Sequence, residues 1–231
     1  MIATDHAELK QLTLFAGLPE DELEYISAFI RRATLGPDSL LVSALLPGEA
    51  VYWILDGSVK VQVMSEDGRE LTLALLGPGD LVGELVLVAG RRNAASVVTR
   101  EETSVLWLDR RDFIRCLDVS PALCRNLASE LSERLRAADE RLQAFATLDV
   151  TGRVALQILE LAERYGSPVP GEGIRISIPV TQGEIGEMVA ATRERVNQIM
   201  VRLRRDGVFS VDAKHHLIVS RPEVLAELGH F

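Results

Sequence analysis

From Ala122 to Thr151 the chain contains neither glycine nor proline, and this stretch constrains the fold more than any other. Ser120-Pro121 ahead of it reads as an N-cap followed by proline at the first helical position. Together they predict one helix of about 25 residues. Cys124, Ala128, Leu131, Leu135, Ala138, Leu142 and Phe145 fall on alternating three- and four-residue steps, a heptad seam of about three repeats. Glu130, Glu133, Arg134, Arg136 and Glu140 lie off that seam. The helix outruns the roughly 10–14 residues usual in globular domains. A coiled coil between two copies of the chain is therefore expected, in preference to a helix packed wholly on its own domain.

The sequence on either side follows other patterns. Leu18-Pro19-Glu20-Asp21-Glu22 places proline and acids at the start of a short helix carrying Leu23, Ile26 and Ile30, which suits the positive end of a helix dipole. From 31 to 109, short apolar runs such as 51–55, 59–63, 71–73 and 105–108 are separated by Leu46-Pro47-Gly48, Asp56-Gly57, Asp67-Gly68 and Gly77-Pro78-Gly79-Asp80. Turn signals every 8–12 residues or so between β-rich runs predict an all-β sandwich or jelly roll. After the long helix, Arg153–Tyr165 reads as a second helix, 167–173 as a turn-rich break and 174–178 as a strand.

Charge sharpens this division. The chain of 231 residues carries a formal net charge of −9, which argues against a chain-wide nucleic-acid footprint. Yet 1–150 hold 15 basic and 24 acidic residues, whereas 151–231 hold 10 of each. Within 193–205, Arg193, Arg195, Arg202, Arg204 and Arg205 face Glu194 alone, a net of +4. No apolar run approaches a membrane span, and Met1–Lys10 have no apolar signal core. Two cysteines, Cys116 and Cys124, cannot build a disulfide framework or a multi-thiolate metal site and fit a reducing cytoplasm. They are expected to be buried structural thiols. Histidines occur only at positions 6, 215, 216 and 230, so a metalloenzyme of the β-barrel type lacks its ligands in 31–110. No nucleophile–histidine arrangement and no P-loop is present, which argues against an enzyme.

Thr181-Gln182-Gly183-Glu184 is a capping box opening a short helix with Ile185, Met188 and Val189 inward. Ala190-Ala191-Thr192 makes a tight turn, and Thr192 caps a second helix that buries Val196, Ile199, Met200 and Leu203. This is the helix-turn-helix layout, in which the second helix enters the DNA major groove by its N-terminal end. Arg193, Glu194, Asn197 and Gln198 occupy that end and can read guanine, cytosine and adenine edges. Thr181, Gln182, Thr192, Arg195, Arg202 and, on the following hairpin 208–219, Lys214 are placed to contact phosphates. An ordinary helical hairpin is the alternative, but it gives no reason for capping box, basic helix and wing-like hairpin to coincide.

The sequence resembles the cyclic-AMP receptor protein and fumarate-nitrate regulator (CRP/FNR) family of bacterial transcription factors. The resemblance rests on Leu14-Phe15-Ala16-Gly17-Leu18, Asp56-Gly57-Ser58-Val59-Lys60-Val61, Pro78-Gly79-Asp80-Leu81-Val82-Gly83-Glu84-Leu85, Leu148-Asp149-Val150-Thr151-Gly152-Arg153, the capping-box segment and Thr192-Arg193-Glu194-Arg195-Val196. It implies an α+β chain: a cyclic-nucleotide-binding-like β-roll over 1–118, a dimerisation helix over 119–148, and a winged helix-turn-helix over 149–231. The implied partners are palindromic double-stranded DNA, a second copy of the chain and RNA polymerase, with no membrane. Family members that bind cyclic AMP use Glu for the ribose, Arg-Ser for the cyclic phosphate and Thr-Ser on the long helix for adenine. Here Gly83, Glu84 and Leu85 match, but Asn93 and Ala94 stand at Arg-Ser, and Ala138 and Asp139 at Thr-Ser. A phosphate would lose its charge-assisted arginine bond unless Arg91 or Arg92 replaced it. Cyclic AMP is therefore disfavoured, and another nucleotide, including a cyclic dinucleotide, or no effector stays open. The cysteine and histidine inventory excludes the iron–sulfur and haem modes of the family. Gln198 and Gln182 stand where the receptor has arginines. This implies a half-site related to TGTGA but altered where the second arginine reads. A sensing module that has lost DNA readout is the alternative, and the +4 helix argues against it.

Overall fold

The computed structural model describes residues 6–46, 48–66, 68–84, 95–214 and 216–229. It divides into two compact units, Met1–Arg136 and Ala137–Phe231. The first begins with α1 (His6–Leu9), a 3-10 turn (Thr13–Phe15) and α2 (Glu20–Ser27). Eight strands follow: β1 (Arg31–Leu35), β2 (Leu40–Val42), β3 (Ala50–Asp56), β4 (Val59–Met64), β5 (Glu70–Leu76), β6 (Leu81–Val82), β7 (Ser96–Thr99) and β8 (Thr103–Asp109). They form two four-stranded sheets, ordered β1-β8-β3-β6 and β2-β7-β4-β5. The pairs within each are antiparallel.

Strand alternation fills two separate cores. Ile54 on β3 and Val105 on β8 point between the sheets, with Leu41, Val42, Val59, Leu76, Val82 and Val97. Their neighbours Val51, Trp53, Leu106 and Leu108 point the other way, onto the helices. That second core includes Leu14, Phe15, Leu23 and Ile26, Phe113 of α3 (Arg110–Val119), and Leu123 and Leu127 of α4 (Pro121–Thr147). Fully burying a leucine is worth about 1.5–3 kcal/mol, so these contacts anchor the first turns of α4. Ser120 caps it, accepting from the Leu123 N–H at 3.0 Å, and Pro121 begins the helix as expected.

In the single chain the heptad positions fall into two groups. Leu131 is half-buried against the first unit's own core. Cys124, Ala128, Leu135, Ala138, Leu142 and Phe145 are exposed in the single chain, Leu135 and Leu142 by about two thirds. The two thiols differ in the single chain. Cys116 is buried, and that burial, with Asp112 nearby, pushes its thiol up to about 12. Cys124 is exposed, because it lies on the outer side of α4, one residue past the inward Leu123.

In the second unit, α5 (Val150–Tyr165) carries α8 (Pro222–Gly229) on its surface. The sheet is ordered β11-β12-β10-β9, from β9 (Gly166–Val169), β10 (Gly173–Ile176), β11 (Phe209–Val211) and β12 (Leu217–Val219). Part of the expected turn-rich break at 167–173 is thus strand β9. It accommodates Pro168 because it is an edge strand.

Gly83, between β6 and Glu84, sits at φ +93°, and a Cβ there would lie 2.5 Å from the Ala50 carbonyl oxygen. Gly83→Ala is expected to cost about 1–3 kcal/mol through backbone strain, with displacement of Ala50 adding to it. The urea midpoint reads this loss.

Candidate nucleic-acid interface and sensor site

The helix-turn-helix is built as the sequence implies. Thr181 Oγ1 accepts from the Glu184 N–H at 3.2 Å, and the Thr181 N–H donates to Glu184 Oε2 at 2.8 Å, closing the capping box of α6 (Gln182–Met188). The Thr181 hydroxyl also donates to Glu184 Oε2. The turn is tight enough that a Cβ on Gly186 would meet the Ala191 carbonyl oxygen at 2.8 Å, and Ala190 takes a positive φ of 51°. Arg153 braces the turn: its Nε donates to the Val189 carbonyl at 3.0 Å while its guanidinium lies over Phe145.

Helix α7 (Arg193–Arg205) is capped by Thr192, whose Oγ1 accepts from the Arg195 N–H. Val196, Ile199, Met200 and Leu203 are buried, and Arg193, Glu194, Arg195, Asn197, Gln198, Arg202, Arg204 and Arg205 are exposed. The helix therefore presents all four expected base-reading side chains and two of the phosphate candidates to solvent. Arg195 Nη1 donates weakly to Gln198 Oε1 at 3.4 Å. The Glu194 carboxyl is held below its ordinary range by its own backbone N–H and the Thr192 hydroxyl, so at neutral pH it is an acceptor, as cytosine N4 requires.

The hairpin after α7 is fixed by a polar cluster that sequence reasoning did not find. Arg175 donates through Nε to Asp212 Oδ2 and through Nη2 to His216 Nδ1, both at 2.8 Å. Asp212 Oδ1 accepts from the N–H groups of Lys214 and His216. Arg175, then the His216 N–H, hold the Asp212 carboxyl far below the usual carboxylate range. Lys214 is exposed at the tip. Arg175 lies 37 residues from Asp212 on another strand, so no local pattern announces the pair.

In the first unit the candidate effector residue Glu84 is 2% exposed. Arg134 of α4 donates to Glu84 Oε1 at 2.7 Å, to the Leu81 carbonyl at 2.5 Å and to Glu130 Oε1 at 2.8 Å. Reading the heptad had set Arg134 and Glu130 aside as off the seam. Being off the seam is what turns them inward. Burial raises the Glu84 pKa above its ordinary 4.5, with the Arg134 charge opposing. The turn feeding this site is pinned by Asp80, whose Oδ2 accepts from the Gly77 N–H at 2.8 Å. Leu85, Arg91, Arg92, Asn93 and Ala94 lie outside the described residues. Ala138 and Asp139 are exposed on α4 beyond Arg136, where the first unit ends.

A family model of the cyclic nucleotide-binding domain matches residues 33–120, and one of the Crp-like helix-turn-helix domain matches 152–228. A CRP-like cAMP-activated global transcriptional regulator of Mycobacterium tuberculosis is 34% identical over 172 residues, 74% of this chain and 76% of that protein. The cAMP-activated global transcriptional regulator CRP of Salmonella typhimurium is 34% identical over 167 residues, 72% of this chain and 79% of its own. The chain belongs to the CRP/FNR family of transcription regulators. The solved structure of FixK2 from Bradyrhizobium japonicum shares the fold, with a TM-score of 0.77 and 22% identity over 87% of this chain and 98% of that one. This CRP/FNR chain is thus a transcription regulator with a DNA-binding helix-turn-helix and a cyclic nucleotide-binding domain. Among the described residues no helix is long and apolar enough to cross a membrane, and no group of side chains is arranged to hold a metal.

Glu84 supplies a pH signature. Its folded pKa is raised, so the folded state binds more protons than the unfolded one between pH 4.5 and the raised value. Stability from this group is present below that window and falls as pH rises through it. Glu84→Gln removes the titration. Relative to Glu84→Gln, the wild type is expected to lose stability as pH rises from about 4.5, and then to level off. Paired urea titrations between pH 4 and 8 check the slope.

Proposed function

We propose that the protein is a dimeric, sequence-specific DNA-binding transcription regulator whose response to cyclic AMP is altered or absent. One observation carries the DNA reading. Helix α7 exposes Arg193, Glu194, Asn197 and Gln198 from its first two turns, flanked by Arg195 and Arg202, while its opposite side is fully packed. Arg193 reads guanine, Glu194 accepts from cytosine, and Asn197 and Gln198 pair with adenine. Thr181, Gln182, Thr192, Arg195, Arg202 and Lys214 hold phosphates and set register.

The dimer is supported by Leu135 and Leu142, which a single chain leaves in water, with the half-exposed Phe145 continuing their stripe. A second copy of α4 set alongside it in parallel covers it. Two recognition helices then face a palindrome, with RNA polymerase the partner through which transcription changes. The altered effector response is supported by Asn93 and Ala94 in place of an arginine and a serine, and by the added carboxylate of Asp139. A cyclic phosphate would sit near an arginine, Arg134, that Glu84 and Glu130 already neutralise. A neutral ligand, or a larger nucleotide reaching Arg91 or Arg92, fits this balance better.

Arg193→Ala is expected to cost about 1–3 kcal/mol of DNA binding and relax specificity at one position per half-site. Arg202→Ala is expected to weaken all sequences alike and reduce the salt slope by about one. Fluorescence anisotropy with selected duplexes separates the two. The double variant Leu135→Glu, Leu142→Glu is expected to sediment as a monomer and lose about 100-fold or more in affinity for a palindrome. In thermal-shift measurements, cyclic AMP is expected to leave the wild-type midpoint unchanged, since only a ligand favouring the folded state raises it.

A further inference from the structure

Among the exposed side chains of α7, Val201 alone is apolar, and it is 58% exposed. At about 100° per residue it lies one turn on from Asn197 and Gln198 and two turns on from Glu194. These residues share the side of the helix opposite the buried Val196, Ile199, Met200 and Leu203. Val201 contributes nothing to that packing. A β-branched residue is also a weaker helix former than the lysine, arginine or glutamate that an exposed site would favour. The position thus forgoes both helix propensity and a phosphate-binding charge, on the face that the proposed function places in the major groove. The base edges there offer one apolar group, the C5-methyl of thymine.

We propose that Val201 is a specificity-determining residue that packs against a thymine methyl. At 1.5 Å of rise per residue it stands about 4.5–6 Å along the helix from Gln198 and Asn197, about one or two base pairs from those they read. The assignment rests on the DNA reading above and adds to it a base position chosen by shape rather than by hydrogen bonds. It also explains how a helix with glutamine in place of a second arginine can retain selectivity.

The test uses full-length protein and duplexes that it selects from a random pool. Each thymine of one half-site is replaced in turn by deoxyuridine, which removes only the methyl. With the wild type, one replacement is expected to weaken binding about three- to five-fold, the worth of one buried methyl-sized group. With Val201→Ala, the unmodified duplex is expected to bind weaker by a similar factor, and that same replacement to have no further effect. Replacements at other thymines should act equally on both proteins. The exposed helical site predicts a thermal midpoint for the variant no lower than that of the wild type, alanine being the better helix former. If every replacement acts alike on wild type and Val201→Ala while Arg193→Ala still impairs binding, the Val201 contact is overturned and the DNA reading stands. Failure of the wild type to select any sequence overturns both.

Discussion

A 27-residue helix displays more apolar surface than the core beneath its first turns can cover, and the rest of this molecule follows from how that surface is divided. Leu123 and Leu127 are buried in the first unit, and Leu131 is half-buried beside them. One turn further on, the inward side becomes polar. Arg134 reaches the buried carboxylate of Glu84 and shares itself with Glu130. Beyond that point Leu135 and Leu142 face water. The helix is therefore held by the β-roll at one end and left with an unfilled stripe along the other side. The proposed partner for that stripe is a second copy of the same helix.

The ion pair under the helix ties α4 to the first unit's β-roll. A carboxylate at 2% exposure is costly to leave without a counter-charge, and removing one partner of such a pair is more damaging than never having had it. Any ligand group that approaches Glu84 must compete with Arg134, and so with the placement of α4. In the second unit the electrostatics run the other way. The acid surplus of the whole chain is confined to 1–150, and the exposed arginines of α7 stand in a segment, 151–231, of zero net charge.

What could be read from the sequence was what is encoded locally. Thr181 and Glu184 are three residues apart, and Ser120 caps through Leu123 at the same spacing, so both helix starts were legible. Short apolar runs between turn residues identified β3 and β8, although not that Trp53 and Ile54 serve two different cores. Interactions across long sequence separations were not legible. Arg134 and Glu84 are 50 residues apart, and a heptad count places arginine outside the seam without saying what it meets there. β1 was missed because Arg31 and Arg32 are exposed, so its run is not apolar. β9 was hidden by Pro168, which a sheet edge tolerates.

The claim that this chain reads DNA as a pair is tested most directly by comparing a selected palindromic duplex with a duplex carrying one half-site, titrated at several salt concentrations. The account predicts two chains per palindrome and much weaker binding to the single half-site. It also predicts an affinity that falls linearly in log–log form with salt as phosphate contacts release counterions. One chain per duplex, equal affinity for the half-site and the palindrome, and indifference to salt would contradict it.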